Sequence, residues 1–77
     1  KDNYKPTYPN VIKLSDNDAR IIKETFNVAR ASKDYQTLIK LRQKIIEVVG
    51  IKNVKQSNDM EFIHVILKDY NFYTQNM

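Results

Sequence analysis

Both prolines of this chain, Pro6 and Pro9, lie within its first nine residues, and its single glycine is Gly50. The two strongest helix breakers are therefore missing almost everywhere else. Apolar residues recur there at a helical period, with no convincing strand alternation. Ser15 is placed to cap a first helix, its hydroxyl accepting from an amide in the first turn, where Asp16 and Asp18 also suit the helix dipole. Ala19, Ile22, Phe26 and Ala29 form one apolar stripe on this helix, which should run to about Ala31. Asp34 is placed to cap a second helix, and so short a connection makes the first two an antiparallel hairpin. Helix two is expected from Tyr35 to Val49, stopping at Gly50 in a left-handed conformation with Ile51 packing back. Its wide apolar arc holds Tyr35, Leu38, Ile39, Leu41, Ile45, Ile46, Val48 and Val49, which makes it the central element.

After a loop over residues 50–57, Asn58 or Ser57 can cap a third helix that runs to about Asn71 and frays into the tail. Its core face is Phe62, Ile63, Ile66, Leu67 and Tyr70. Ahead of the helices, each proline forces its predecessor out of the α region, so residues 1–14 read as an extended arm, partly disordered when free. The expected architecture is all-α: a three-helix domain over 15–77, with helices at about 15–31, 34–49 and 58–71, preceded by that arm.

At 77 residues and 42% hydrophobic, the chain holds one core and no second domain. A domain this small buries only roughly 60% of its unfolded surface, so a partner copy would help it. With no cysteine there is no disulfide framework and no thiolate chemistry, and a reducing, cytoplasmic setting is expected. No apolar run has the length of a membrane span, so no membrane contact is expected from this segment. The start at Lys1 is what a piece of a longer chain would give.

The catalytic inventory is nearly empty. His64 is the only histidine, each serine reads as a cap or turn residue, and one glycine cannot build a phosphate loop. Glu61 and His64 have the spacing of two ligands on one helical face, but too few further ligands exist to complete a site. No enzyme activity, metal or cofactor is expected.

Charge is segmented rather than interspersed. Residues 20–55 carry nine bases against three acids, a net of +6, whereas residues 56–77 carry one base against three acids, a net of −2. On helix one, Arg20, Lys23, Asn27 and Arg30 share one edge, and Lys33, Lys52 and Lys55 extend the basic character into the turn and the second loop. Cations and an amide in a row are what phosphate contacts need. The acidic third helix and the long loop before it argue against major-groove reading by a helix-turn-helix. In general character the chain resembles the small basic helical domains of phage and plasmid proteins that organise DNA. That likeness implies a DNA-organising role.

Val65 and Phe72 lie away from the core face of helix three, with Tyr73 nearby, and Arg42 falls inside the apolar arc of helix two. These four are the expected interface of a homodimer. The functional expectation is a non-enzymatic, dimeric nucleic-acid-binding module of little sequence preference, contacting single- or double-stranded nucleic acid, DNA favoured. The competing expectation is a protein-interaction domain: an adaptor, an immunity or inhibitor protein, or an assembly module.

Overall fold

The computed structural model describes residues 3–75. The chain is an all-α domain: a 3-10 turn over Pro9–Lys13, then α1 (Asp16–Ala31), α2 (Tyr35–Val49) and α3 (Asp59–Gln75). No strand occurs among the described residues.

Local chemistry sets each boundary. At the start of α1, the Ser15 hydroxyl accepts from the Asp18 amide and the Asp18 carboxylate accepts from the Ser15 amide, both at 3.0 Å. This reciprocal box satisfies two of the donors a helix start leaves open. Asp34 starts α2 by accepting from the Thr37 amide at 3.2 Å and the Thr37 hydroxyl at 2.7 Å, bonds that hold its carboxyl below the usual carboxylate range. The Asn58 side chain accepts from the Glu61 amide at 2.9 Å to start α3.

Two helices end in the same way. Gly50 sits in the left-handed region at φ 76°, and the Ile51 amide reaches back to the Ile46 carbonyl at 3.1 Å. Lys33 does the same at φ 59°, with the Asp34 amide on the Ala29 carbonyl at 2.8 Å. The hairpin turn is thus a Schellman motif with lysine where glycine is the usual choice.

The core is built from Phe26 of α1, Leu38, Ile45 and Val49 of α2, and Phe62, Ile63 and Ile66 of α3, closed by Val11 of the 3-10 turn. Ala19, Ile22 and Ala29 are buried as the α1 stripe predicts, and Tyr70 is buried on α3. The α2 arc is wider than the face it uses. Leu41 and Ile46 are half-buried, while Tyr35, Ile39 and Val48 stay exposed.

The arm departs from its expected form. Residues 9–13 are not extended but wound into the 3-10 turn, and Tyr8, Val11 and Leu14 are buried. Three-residue spacing places these side chains on one side of a 3-10 turn, and Pro9 supplies the fixed φ that suits its first position. The Tyr8 ring meets Phe62 edge-on at 5.6 Å between centroids. Its hydroxyl donates to Gln56 at 2.5 Å and accepts from the Lys55 amide at 2.9 Å. Upstream, the segment runs along α3 and is pinned there by Asp69, which accepts from the Tyr4 hydroxyl, the Thr7 amide at 2.9 Å and the Tyr8 amide at 2.7 Å. α3 also continues past Asn71 to Gln75, with the Phe72 ring against those of Tyr4 and Tyr73.

Candidate functional site

The two flanks of α1 differ in character. On one flank, Arg20, Lys23, Asn27 and Arg30 line an open groove of about 520 Å³ whose other wall is α3. From α3 the groove receives His64, Lys68 and Asn71, with Phe26, Leu67 and Tyr70 among its apolar lining. Beyond Arg30 the surface continues to Met60 and Glu61.

Its cations are held in different ways. Arg20 is tied to Glu24 at 3.3 Å and hydrogen-bonds Asn17, both partners on its own helix. Such an exposed pair contributes little and gives way readily to a stronger anion. Arg30 lies over the Phe26 ring at 5.0 Å and donates to Asn27 at 3.3 Å, which orients its guanidinium along the groove wall. Lys68 stands over the Tyr4 ring at 4.6 Å, so the arm positions a cation of the groove. Lys23 has no ion-pair partner among the described residues. The groove's carboxylate, Asp16, is engaged by the Tyr70 hydroxyl. That bond, with burial, pushes the Tyr70 phenol up to about 12.

The structure therefore brings together four of the seven residues expected at the interface. Lys33 projects from the hairpin turn. Lys52 and Lys55 line a separate groove of about 420 Å³ with Tyr8, Asn10 and Asn53, which shares no lining residue with the first.

His64, Lys68 and Asn71 join the site although the acidic balance of the last segment pointed away from it. The signal that could have found them is their i, i+4, i+7 spacing, which puts three polar side chains on one face of α3. Segment charge misled because two of the three acids of α3 are occupied, leaving only Glu61 exposed. Asp69 is fully buried under the arm and Asp59 pairs with Arg42 at 3.5 Å.

The four side chains expected at a dimer interface have partners within the chain. Arg42 is only 16% exposed at its side chain, paired with Asp59 and lying 5.0 Å over the Phe62 ring. Its Nη1 is buried without a hydrogen bond among the described residues. Val65 and Tyr73 pack against the core, and Phe72 and Tyr73 meet edge-on at 5.3 Å. From the N-terminal segment, the Tyr4 ring packs on Phe72 at 6.0 Å between centroids, and Val65, Phe72 and Tyr73 are each half-buried.

Among the described residues, no three acidic or histidine side chains cluster as a metal site would require, and no helix is long and apolar enough to cross a membrane. The family described as Domain of unknown function (DUF8484) matches residues 1–77, and the chain belongs to that family. No curated protein and no solved structure matches it.

Proposed function

We propose that this DUF8484 domain is a non-enzymatic module that holds the phosphate backbone of a nucleic acid, DNA favoured, in the groove between α1 and α3. One observation carries the reading: Arg20, Lys23 and Arg30 of α1 line the same groove as Lys68 of α3, with the amides of Asn27 and Asn71 among them. Cations and amide donors in line suit phosphate oxygens, and such contacts hold a strand without reading its sequence. Low sequence preference follows, in keeping with a DNA-organising role of the phage or plasmid kind. Lys33, Lys52 and Lys55 lie outside the groove and add general positive potential that speeds encounter.

The test is fluorescence anisotropy with labelled duplex and single-stranded DNA at two salt concentrations. Binding that weakens steeply with salt and differs little between unrelated sequences is expected. Failure to bind either probe at low salt and tens of micromolar protein, or equal binding by an Arg20→Glu, Lys23→Glu double variant, would remove the proposal in favour of a protein-interaction role.

A further inference from the structure

The other flank of α1 exposes two large apolar side chains, Ile21 and Val28, with Thr25 between them. Ile21, Thr25 and Val28 follow one another at spacings of four and three, and Thr37, Leu41, Lys44 and Val48 of α2 do so at four, three and four. This is the spacing of a coiled-coil seam. The two rows run side by side on the outer face of the hairpin. Ile21, Leu41, Lys44 and Val48 share one groove, and Thr25, Val28 and Thr37 share the next. Ile21 is 47% exposed, Val28 69% and Val48 46%, so both rows remain open to solvent. Isolated surface apolar residues are ordinary, but two adjacent rows at seam spacing form a face that two further helices would fit.

The middle of each row is flanked by opposite charge. Asp18 and Glu24 stand beside the α1 row, whereas on α2 Lys44 lies in the row and Lys40 beside it, with Asp34 at the helix start and Glu47 one turn beyond Lys44. The shared grooves place Glu24 at a level on α2 between Thr37 and Lys44, close to both lysines along the helix axis. A two-fold axis parallel to the hairpin lays α1 of each copy antiparallel on α2 of the other. Glu24 then meets the lysine edge of its partner twice in the complex. A two-fold axis across the hairpin would instead set α1 on α1 and bring like charges together.

We infer that the outer α1–α2 face binds a second copy of this chain, making an antiparallel four-helix bundle whose rims pair Glu24 of each copy with Lys40 and Lys44 of the other. The α3 strip, on which Tyr4 packs, takes no part. The phosphate groove lies on the opposite flank of α1, so both grooves stay open in the dimer; Glu24 exchanges its exposed pair with Arg20 for the partner's lysines, and the two readings are told apart because one is read by sedimentation and the other by DNA binding.

Sedimentation equilibrium of the full chain over roughly tenfold steps in concentration tests this directly. The parent is expected to reach a dimer. Val28→Glu, at a site too exposed to support the core, is expected to give a folded monomer by circular dichroism. Glu24→Lys and the Lys40→Glu, Lys44→Glu double variant should each self-associate at least about tenfold more weakly than the parent. Mixed in equal amounts, they should regain dimerisation, because a heterodimer restores opposite charges at both rims. A parent that stays monomeric at high micromolar concentration overturns the inference. So does a dimer indifferent to Val28→Glu, or a mixture that associates no better than its components.

Discussion

Asp69 is a fully buried charge within the core face of α3, and the partners it accepts from lie more than sixty residues away in the chain. A buried carboxylate is costly unless its oxygens are filled, and here two backbone amides and the Tyr4 hydroxyl fill them. Burial of the ring first, and then the bond to Asp69, hold the Tyr4 phenol above its ordinary range. Asp69→Asn keeps the shape but turns an amide group toward donors, so it should lower unfolding stability by roughly 2–3 kcal/mol in urea titration. A loss within a few tenths would mean the arm is held by its apolar residues alone. Tyr70 gives a pH signature. Its pKa, raised to about 12 by the Asp16 hydrogen bond first and by burial second, lies above the unfolded value near 10. The neutral phenol therefore stabilises the fold fully below pH about 10, and that contribution disappears as pH rises through about 12. Tyr70→Phe should cost about 1 kcal/mol at neutral pH and flatten the alkaline decline of the urea midpoint. An unchanged decline would assign the effect elsewhere. Sequence position could reveal that Asp69 follows Phe62 and Ile66 at i+7 and i+3, on the buried stripe. It could not reveal which distant amides would fill the carboxylate.

The helix boundaries up to the start of α3 were legible because capping chemistry is local, whereas the end of α3, expected at about Asn71, lies at Gln75. Ser15 with Asp18, Asp34 with Thr37, and Gly50 with Ile46 each act within one helical turn. The 3-10 turn was not, since its stability comes from Tyr8, Val11 and Leu14 reaching a core assembled by later residues. Prolines announced a break from α-helix there without saying that the segment would be buried. The two left-handed turn positions permit opposite tests. Lys33 at φ 59° bears the strain of a side chain in a region glycine occupies freely, so Lys33→Gly should raise stability by about 1 kcal/mol. Gly50→Ala should lower it by a similar amount, because φ rather than space is limiting: the nearest atom to an added Cβ is the mobile Lys13 Nζ at 3.7 Å. Thermal or urea unfolding of both variants checks the pair. Equal effects of the same sign would show that the turns are not strained at these positions.

At the scale of the whole molecule, folding sorts charge differently from the chain order. Of the nine bases of the middle segment, three line the groove of α1 and two a separate groove, and the acidic last segment hides one carboxylate, pairs another and contributes Lys68 to the groove of α1. This is why the α1 half of the candidate site was visible in the sequence and the α3 half was not. The division has a thermodynamic consequence for the proposed binding. Four groove cations neutralising four phosphates should give a log–log salt slope of about −3.6 on duplex DNA and about −2.8 on a single strand. Each of Arg20→Ala, Lys23→Ala, Arg30→Ala and Lys68→Ala should reduce the duplex slope by about 0.9 and weaken binding alike on unrelated sequences. Lys68→Ala is the decisive member, since residue order assigns it to an acidic helix and only the folded groove sets it beside Lys23. Lys52→Ala and Lys55→Ala should change the slope much less, because a strand seated between α1 and α3 does not reach their groove. If Lys52 and Lys55 matter as much as Lys23 while Lys68 does not, the backbone runs over the opposite surface and the α1–α3 groove is not where it is held.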